Sequence, residues 1–367
     1  MYGVKRQVQN TRKIAMKLPV RLVVSTKMML RLAVRLLATV AACASLQPVA
    51  AQAAQNTWTL ASGYPKELFH GVNLRQFAQN VNDRSKGGLV IEVRTDGIAA
   101  SPSEIVGKVR SGDLAAGEVL LSSMASDTRI AGADAIPFIV HSYDDALRLW
   151  NAQRPILQEA LDKQGLVILY AVPWPAQGLF TTRPVRSIAD LRGSKMRTYN
   201  PSTVRLAQLM DATPVDVPTQ AIGAAFKDQR LDTMFTSPAT GVDSKLWEGP
   251  AKYFYNVRGW YPKNIVIANK AKWAALSEAN RKTVMAAADE AQKRGWMASE
   301  AASTVSMAEL TSKGIKVDTP EPELRNELRR IGEKFSVESL RETGAEGNRM
   351  LIPYFSNQGS ASTPYTK

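Results

Sequence analysis

In the stretch Gly193-Ser194-Lys195-Met196-Arg197-Thr198-Tyr199-Asn200, a short strand pattern runs into Pro201-Ser202-Thr203, which opens a helix. Strand alternation sends Met196 to one face and Arg197 to the other. Arg197 therefore stands at the carboxyl end of a strand, just before a helix N-terminus, where open α/β folds place ligands. The chemistry a guanidinium offers there is a planar, two-point grip on a carboxylate or another anion. The rival use is pairing with an internal acid, or solvation at the strand end. The residues by themselves leave both open.

Little else in the chain advertises chemistry. The histidines are two, His70 and His141, and the single cysteine is Cys43. That rules out a His-rich metal centre or a Cys/His cluster in the folded body, and no metal or cofactor is expected. No G-x-S-x-G elbow, H-E-x-x-H helix, Walker loop or G-x-G-x-x-G turn occurs. Asp144-Asp145 and Asp289-Glu290 are neighbours in helical stretches, so their side chains diverge by about 100° and read as solvated faces. Isolated acids such as Asp232 or Glu248 would still be open to an enzyme.

Bulk numbers narrow the class. The chain has 367 residues, 45% of them hydrophobic and 22% charged, which suits a soluble globular protein of two domains. Of its net charge of +14, nine units lie in residues 1–53, which hold no acid. The mildly basic remainder gives no reason to expect a nucleic-acid function. The basic leader precedes the apolar run LLATVAACASLQPVA (36–50) and small residues at Ala51-Gln52-Ala53. This pattern reads as an export signal over 1–53, cleaved near Ala53, with Met28 or Met29 placed to begin a signal of ordinary length. The run falls short of the ~20 residues of a membrane span. Val40-Ala41-Ala42-Cys43 resembles a lipobox, but Arg35 leaves only about seven apolar residues ahead of the cysteine, so plain cleavage is favoured. The destination is the periplasm, with no disulfide in the mature chain.

The elements that must position Arg197 alternate along the chain. WTLAS (58–62) reads as a strand, and Pro65 opens a helix carrying Leu68, Phe69, Val72, Leu74, Phe77 and Val81. GGLVIEVRT (87–95) is a strand, 101–114 opens with a serine cap that has little help three residues on but a Pro102 suited to a first helical turn, and AGEVLLSSM (116–124) is a third strand. The order β-α-β-α-β predicts a parallel sheet with helices on both faces. A second unit repeats the alternation: helix 142–165, strand 166–175, strand 194–199, helix 201–212, strand 213–218, helix 219–231, then 232–238 and 263–273. From Leu276 to about Lys313 no proline intervenes and Gly295 is the one interior breaker, so a single long helix is expected, with Ser277 and Asn280 at its start. A last helix pair covers roughly 321–343, and 356–367 reads as a frayed tail.

Several segments occur in an order that carries a resemblance: RSGDL after a short helix, ADAIPFIVHSYDDA (133–146), SIADLRGSKMRTYNPSTVRLAQLMDATPVDVP (187–218), AFKDQRLDTMFTSP (225–238) and NKAKWAALSEANRKTVMAAADEA (269–291). With the export signal, the set resembles the DctP-type periplasmic solute-binding proteins of TRAP (tripartite ATP-independent periplasmic) transporters, over about Trp58 to Ile352. The resemblance implies an α/β, two-lobed clamshell of the type II-like periplasmic binding fold with a long bridging helix. It implies 54–173 plus about 263–302 as lobe I, and 174–262 plus about 303–355 as lobe II. AVPWPAQ (171–177) and WYPKN (260–264) are then the crossings. It also implies that Arg197 pairs with the substrate carboxylate, that closure dries the pair, and that the partners are a small carboxylate and the membrane subunits of the transporter. A monomer that binds no nucleic acid is expected.

Two departures from the family pattern bear on the ligand. Members taking sialic acid or small dicarboxylates often carry another arginine about twenty residues upstream of Arg197. Here WPAQGLFTTRP puts Gln177 near that place and Arg183 farther along, which suggests a monocarboxylate, hydroxylated or aromatic. The usual D-G-x-E-x-P reads DTMFTSP, so Thr233 replaces the glycine and Ser237 stands at a ligand-contacting place, the alternative for Ser237 being a turn before Pro238. Trp174, Phe180, Trp260 and Tyr261 lie near the cleft segments, with Tyr64 after the first strand and Ser122 and Ser123 closing the third. Each could line a site or merely pack in its lobe. A secreted two-lobed enzyme acting on a small carboxylate, or a ligand-sensing partner of a signalling protein, are the alternatives; fold does not decide among them.

Overall fold

The computed structural model describes residues 56–356. The expected export signal with its cleavage site, Cys43, and all but the first residue of the expected tail lie outside the described residues.

Two mixed sheets organise the chain. The first contains β1 (Asn56–Ser62), β2 (Leu89–Arg94), β3 (Ala116–Leu120), β4 (Leu166–Pro173) and β10 (Lys263–Asn269), in the order β2-β1-β3-β10-β4. The second contains β5 (Gly178–Thr181), β6 (Lys195–Thr198), β7 (Thr213–Asp216), β8 (Thr233–Thr236), β9 (Tyr253–Tyr255) and β11 (Lys316–Asp318), in the order β11-β9-β5-β8-β6-β7. The helices are α1 (Phe69–Arg84), α2 (Pro102–Ser111), α3 (Tyr143–Asp162), α4 (Pro201–Leu209), α5 (Ile222–Lys227), α6 (Pro238–Asp243), α7 (Lys270–Ala274), α8 (Glu278–Ser312) and α9 (Pro322–Ser356).

The first sheet is parallel, as expected, through β2-β1-β3. It is not parallel throughout, because β10 runs antiparallel to both β3 and β4. The reason is connectivity: β10 returns from the second sheet and enters from the opposite end. Its alternation serves two cores. Ile265 and Ile267 pack on one face, with Ile105 and Val109 of α2 and Leu149 and Trp150 of α3. Val266 and Ala268 pack on the other, with Leu74 and Phe77 of α1 and Val284 and Ala288 of α8. Both faces of the sheet are therefore closed against water, and this burial of apolar surface is what chiefly holds the half together.

Local signals explain the helix starts. Ser101 and Glu104 form a reciprocal capping box at α2, with the Ser101 backbone N–H donating to Glu104 at 2.9 Å. The Ser101 cap and Pro102 were expected there; the help from Glu104, three residues on, was not. Ser277 accepts a hydrogen bond from the Asn280 backbone at 3.2 Å, starting α8 where expected. Gly295 does not break that helix. A Cβ there would stand 2.4 Å from Val172 of β4 and 2.8 Å from Asn73 of α1, so the glycine lets the long helix lie directly on the sheet. Gly295→Leu is expected to destabilise by about 1–3 kcal/mol through overpacking, a fall in melting temperature of roughly 3–10 °C. A rise on thermal denaturation, as helix propensity by itself would give, would show that the contact does not matter.

The last segment differs from expectation. Leu324, Leu328 and Ile331 at the start of α9 pack in the second-sheet core, but Phe335, Met350, Leu351 and Tyr354 pack in a core of the first. The segment thus bridges both sheets, as α8 does, and is two helical stretches that meet at a kink, the non-helical Gly344 with φ of 57°, the second ending at Ser356. Gly344, Gly347 and Pro353 make this stretch read as the end of a helix.

Candidate functional site

β6 lies between β7 and β8, with Arg197 registered against Val215 and Met234. Its Met196 is buried in the core, 1% exposed, so Arg197 must point the other way, toward the first sheet. The guanidinium is nevertheless 4% exposed. Nε donates to the Val217 carbonyl at 2.9 Å and Nη2 to Thr219 Oγ1 at 3.4 Å, which fixes one edge. The Tyr199 ring lies below it, 4.7 Å from Cζ. Among the described residues it makes no ion pair. Asp216, the acid whose charge acts on it, is exposed. Burial lowers the Arg197 pKa to about 10, so it remains a cation at neutral pH. A buried cation with no anion beside it is costly, and the donors left over on its outer end are suited to a carboxylate.

The two segments joining the sheets bring up the opposite wall. They pair with each other: Trp174 N–H donates to Pro262 at 2.7 Å, Gln177 N–H to Trp260 at 2.9 Å, and Gly259 N–H to Gln177 at 2.8 Å. This ladder holds Trp174 and Gln177 facing Arg197. The Trp174 indole is pinned by a 2.9 Å hydrogen bond to Asn264 and packs 5.2 Å from the Tyr64 ring and 4.4 Å from His70. Tyr64, Leu120, Trp174, Gln177, Arg197, Tyr199, Thr219, Thr236, Thr240 and Pro262 enclose a cavity of about 40 Å³. A second of the same size shares Tyr64, Trp174, Thr219 and Thr240 and extends to Leu68, Gln220 and Asp243. A larger hollow of about 610 Å³ lies elsewhere, between Phe138, Val257 and Leu328. Its arginines, Arg258, Arg325 and Arg329, are exposed, so it lacks the buried charge that marks the smaller cleft.

Of the residues singled out in the sequence, Arg197, Gln177, Trp174 and Tyr64 meet at this cavity. The others do not line it. Ser237, wholly buried, caps α6 by accepting the Thr240 N–H at 3.0 Å, the turn role that was its alternative. Phe180 registers with Met234, the partner of Arg197, and so lies on the same face of the sheet, but it is wholly buried there in a second-sheet core, 4.5 Å from the Phe254 ring. Ser123 is exposed and donates to the Leu120 carbonyl at 2.6 Å, ending the strand. Tyr261 packs 5.0 Å from Tyr143 and borders a separate hollow. Trp260 is in a core, 5.5 Å from Phe235. The acids weighed for catalysis lie outside the cleft residues. Asp232 accepts the Lys195 backbone N–H at 2.9 Å, and Glu248 pairs with Lys227 on the surface.

Tyr199, Thr219, Thr236 and Thr240 were missed. Tyr199 was within reach, since it stands two residues after Arg197 and so shares its side of the strand. Its hydroxyl meets no partner in hydrogen-bond geometry, and burial pushes it up to about 12, although Arg197 and the Trp260 indole pull the other way.

Behind the aromatic wall lies a buried polar layer. Glu118 accepts from Ser62 Oγ at 2.6 Å and lies 3.3 Å from His70 Nδ1. Burial alone would raise the Glu118 carboxyl, but His70, Ser62 and Asn264 outweigh it and hold it below the ordinary range. It is ionised at neutral pH.

Comparison with known proteins follows the same lines. The family described as bacterial extracellular solute-binding protein, family 7 (DctP), matches residues 62–341. The crystal structure of DctP7, a Bordetella pertussis extracytoplasmic solute receptor binding pyroglutamic acid, is 36% identical with a TM-score of 0.79, covering 82% of this chain and 99% of that one. DctP6 of the same organism, likewise described as binding pyroglutamic acid, is 32% identical with a TM-score of 0.80, over 82% and 100%. A solute-binding protein of Chromohalobacter salexigens is 22% identical over 74% of this chain and 81% of its own length.

Proposed function

Because the chain belongs to the DctP family of bacterial extracellular solute-binding proteins, the receptors of TRAP transporters, we propose that it captures a small organic monocarboxylate, of the size and kind of pyroglutamate, in the periplasm and delivers it to the membrane subunits of such a transporter. The observation that carries this reading is Arg197: a buried guanidinium, anchored along one edge, unpaired with any described acid, and facing a cleft between two sheets. A ligand carboxylate would supply the missing anion, and closure around it would dry the pair and strengthen it. Gln177, which lines the cleft, is a neutral amide near the sequence position at which members that take dicarboxylates often carry an arginine. The two Bordetella pertussis receptors, which share about a third of this sequence, bind pyroglutamic acid.

The test is a thermal-shift screen of carboxylates against purified residues 54–367. A ligand that binds only the folded state at a hundred times its Kd adds about 2.7 kcal/mol, so pyroglutamate or a close monocarboxylate is expected to raise the melting temperature by roughly 5 °C or more. No shift with any carboxylate in the screen would sink the reading.

A further inference from the structure

The Arg197 strand leads directly into a helix that touches both halves of the molecule. Tyr199, whose ring lies 4.7 Å from Arg197 Cζ, donates its backbone N–H to Thr203 Oγ1 at 3.0 Å. Asn200 caps α4, its Oδ1 accepting the Thr203 N–H at 2.8 Å. The amide nitrogen of the same side chain reaches the other half, donating to Ser122 Oγ at 2.9 Å. Ser122 is buried just beyond β3 of the first sheet, two residues past Leu120, which walls the Arg197 cavity. Neither Ser122 nor Asn200 lines that cavity or the one adjoining it. α4 meets the first-sheet half at two further points. Arg205 holds Glu338 with hydrogen bonds of 2.9 and 2.7 Å, at a place where α9 has passed from Ile331 in the second-sheet core to Phe335 in the first. Leu209 packs against a core of each half. Arg205 and Glu338 are solvated, 40% and 29% exposed, and such pairs contribute little. The Asn200–Ser122 bond is partly shielded from water, so it keeps more of its strength.

We propose that Asn200 and Ser122 are the latch that holds the two halves together over a bound carboxylate, positioning residues that set how long it stays without touching it. The bond joins a helix cap of one half to a strand end of the other, so it exists only while the two are closed. The ligand leaves from the open state, so the factor by which the latch favours closure lengthens its residence by the same factor. Entry takes place into the open state, where the latch is broken, and is unaffected. One neutral hydrogen bond changes such an equilibrium about fivefold. Grip and closure are also coupled, because strand pairing and the α4 cap hold Arg197, Tyr199 and Asn200 as one stretch. This inference rests on the receptor reading and adds what keeps the cleft shut.

The experiment is stopped-flow binding of pyroglutamate, or of the monocarboxylate with the largest thermal shift should pyroglutamate give none, to wild type, Ser122→Ala, Asn200→Ser and the double variant. Serine caps a helix about as well as asparagine but is too short to reach Ser122. Each single variant is expected to release the acid about fivefold faster, with an association rate within about twofold of wild type. The double variant is expected to release it no faster than the faster single one, since both remove the same bond. Ligand-free melting temperatures are expected to stay within about 2 °C of wild type, because the open state lacks the bond. The affinity loss is expected to be equal for two bound acids of different shape. Release at the wild-type rate, a double variant that multiplies the two effects, or a loss confined to one acid overturns the latch; the last would make Ser122 or Asn200 a ligand contact. If Arg197→Ala abolishes binding while the latch variants release at the wild-type rate, the receptor reading stands and this inference alone falls. If no acid binds the wild type, both fall together.

Discussion

Arg197→Ala is expected to weaken carboxylate binding by about 10²-fold or more. Two charge-assisted hydrogen bonds at about 1.5–3 kcal/mol each account for that loss, before the electrostatic attraction in a dry cleft is counted. Arg197→Lys is expected to bind nearly as poorly, because one ammonium cannot reproduce the fork and cannot hold Val217 and Thr219 while gripping a ligand. Arg197→Met separates binding from folding. It keeps most of the aliphatic volume and removes an isolated buried charge, so the ligand-free protein should melt no lower than wild type while binding is lost. Calorimetry and thermal melts read the two effects separately. Full affinity in Arg197→Ala would rule out the clamp, and a large fall in the melting point of Arg197→Met without ligand would mark the side chain as structural instead.

How much of this was legible in the sequence depends on the distance over which each feature is decided. Arg197 could be read because strand parity and the following helix cap are local. Trp174 and Gln177 could be read because two prolines in seven residues mark a crossing. Ser237 was misplaced by one strand step. Thr236, beside Ser237, faces the cleft, whereas Phe180, although on the face that Arg197 shares, is covered there by a core that only the tertiary fold assembles. Thr219, from a turn about twenty residues beyond Arg197, and Thr240, from α6 about forty beyond it, reach the site, and no local pattern announces such a meeting. The strands β5, β9 and β11 have four, three and three residues, too few to show a period of two. Their existence is fixed by pairing partners.

The largest effect on stability is expected one step behind the cleft, at Lys263. This residue follows Pro262 at the start of β10, and its side chain is 1% exposed; Asp134, from the turn at Arg129–Ala135, is 0% exposed. Asp134 Oδ2 accepts the Lys263 backbone N–H at 2.7 Å and lies 3.7 Å from Nζ, which also donates to the Tyr261 carbonyl at 3.4 Å. Burial drives the Asp134 carboxyl up and the Lys263 ammonium down, and each partner partly reverses the shift of the other. Lys263→Met leaves a buried carboxylate without its cation, a loss of about 3–5 kcal/mol, or roughly 10 °C in melting temperature. The double variant Asp134→Leu with Lys263→Met is expected to recover most of it, because a paired replacement removes both desolvation penalties. The pH dependence has a definite sign. Without Lys263, the folded-state pKa of Asp134 stands still further above its unfolded value of about 3.9. The stability linked to that group is then fully present at low pH and is lost as pH rises through the folded value. The deficit of Lys263→Met against wild type is therefore expected to be smaller at pH 5 than at pH 8 in denaturant titrations. A deficit independent of pH would mean that the lysine stem, by filling space, is what matters, and a double variant no more stable than the single one would show that the two charges are not coupled.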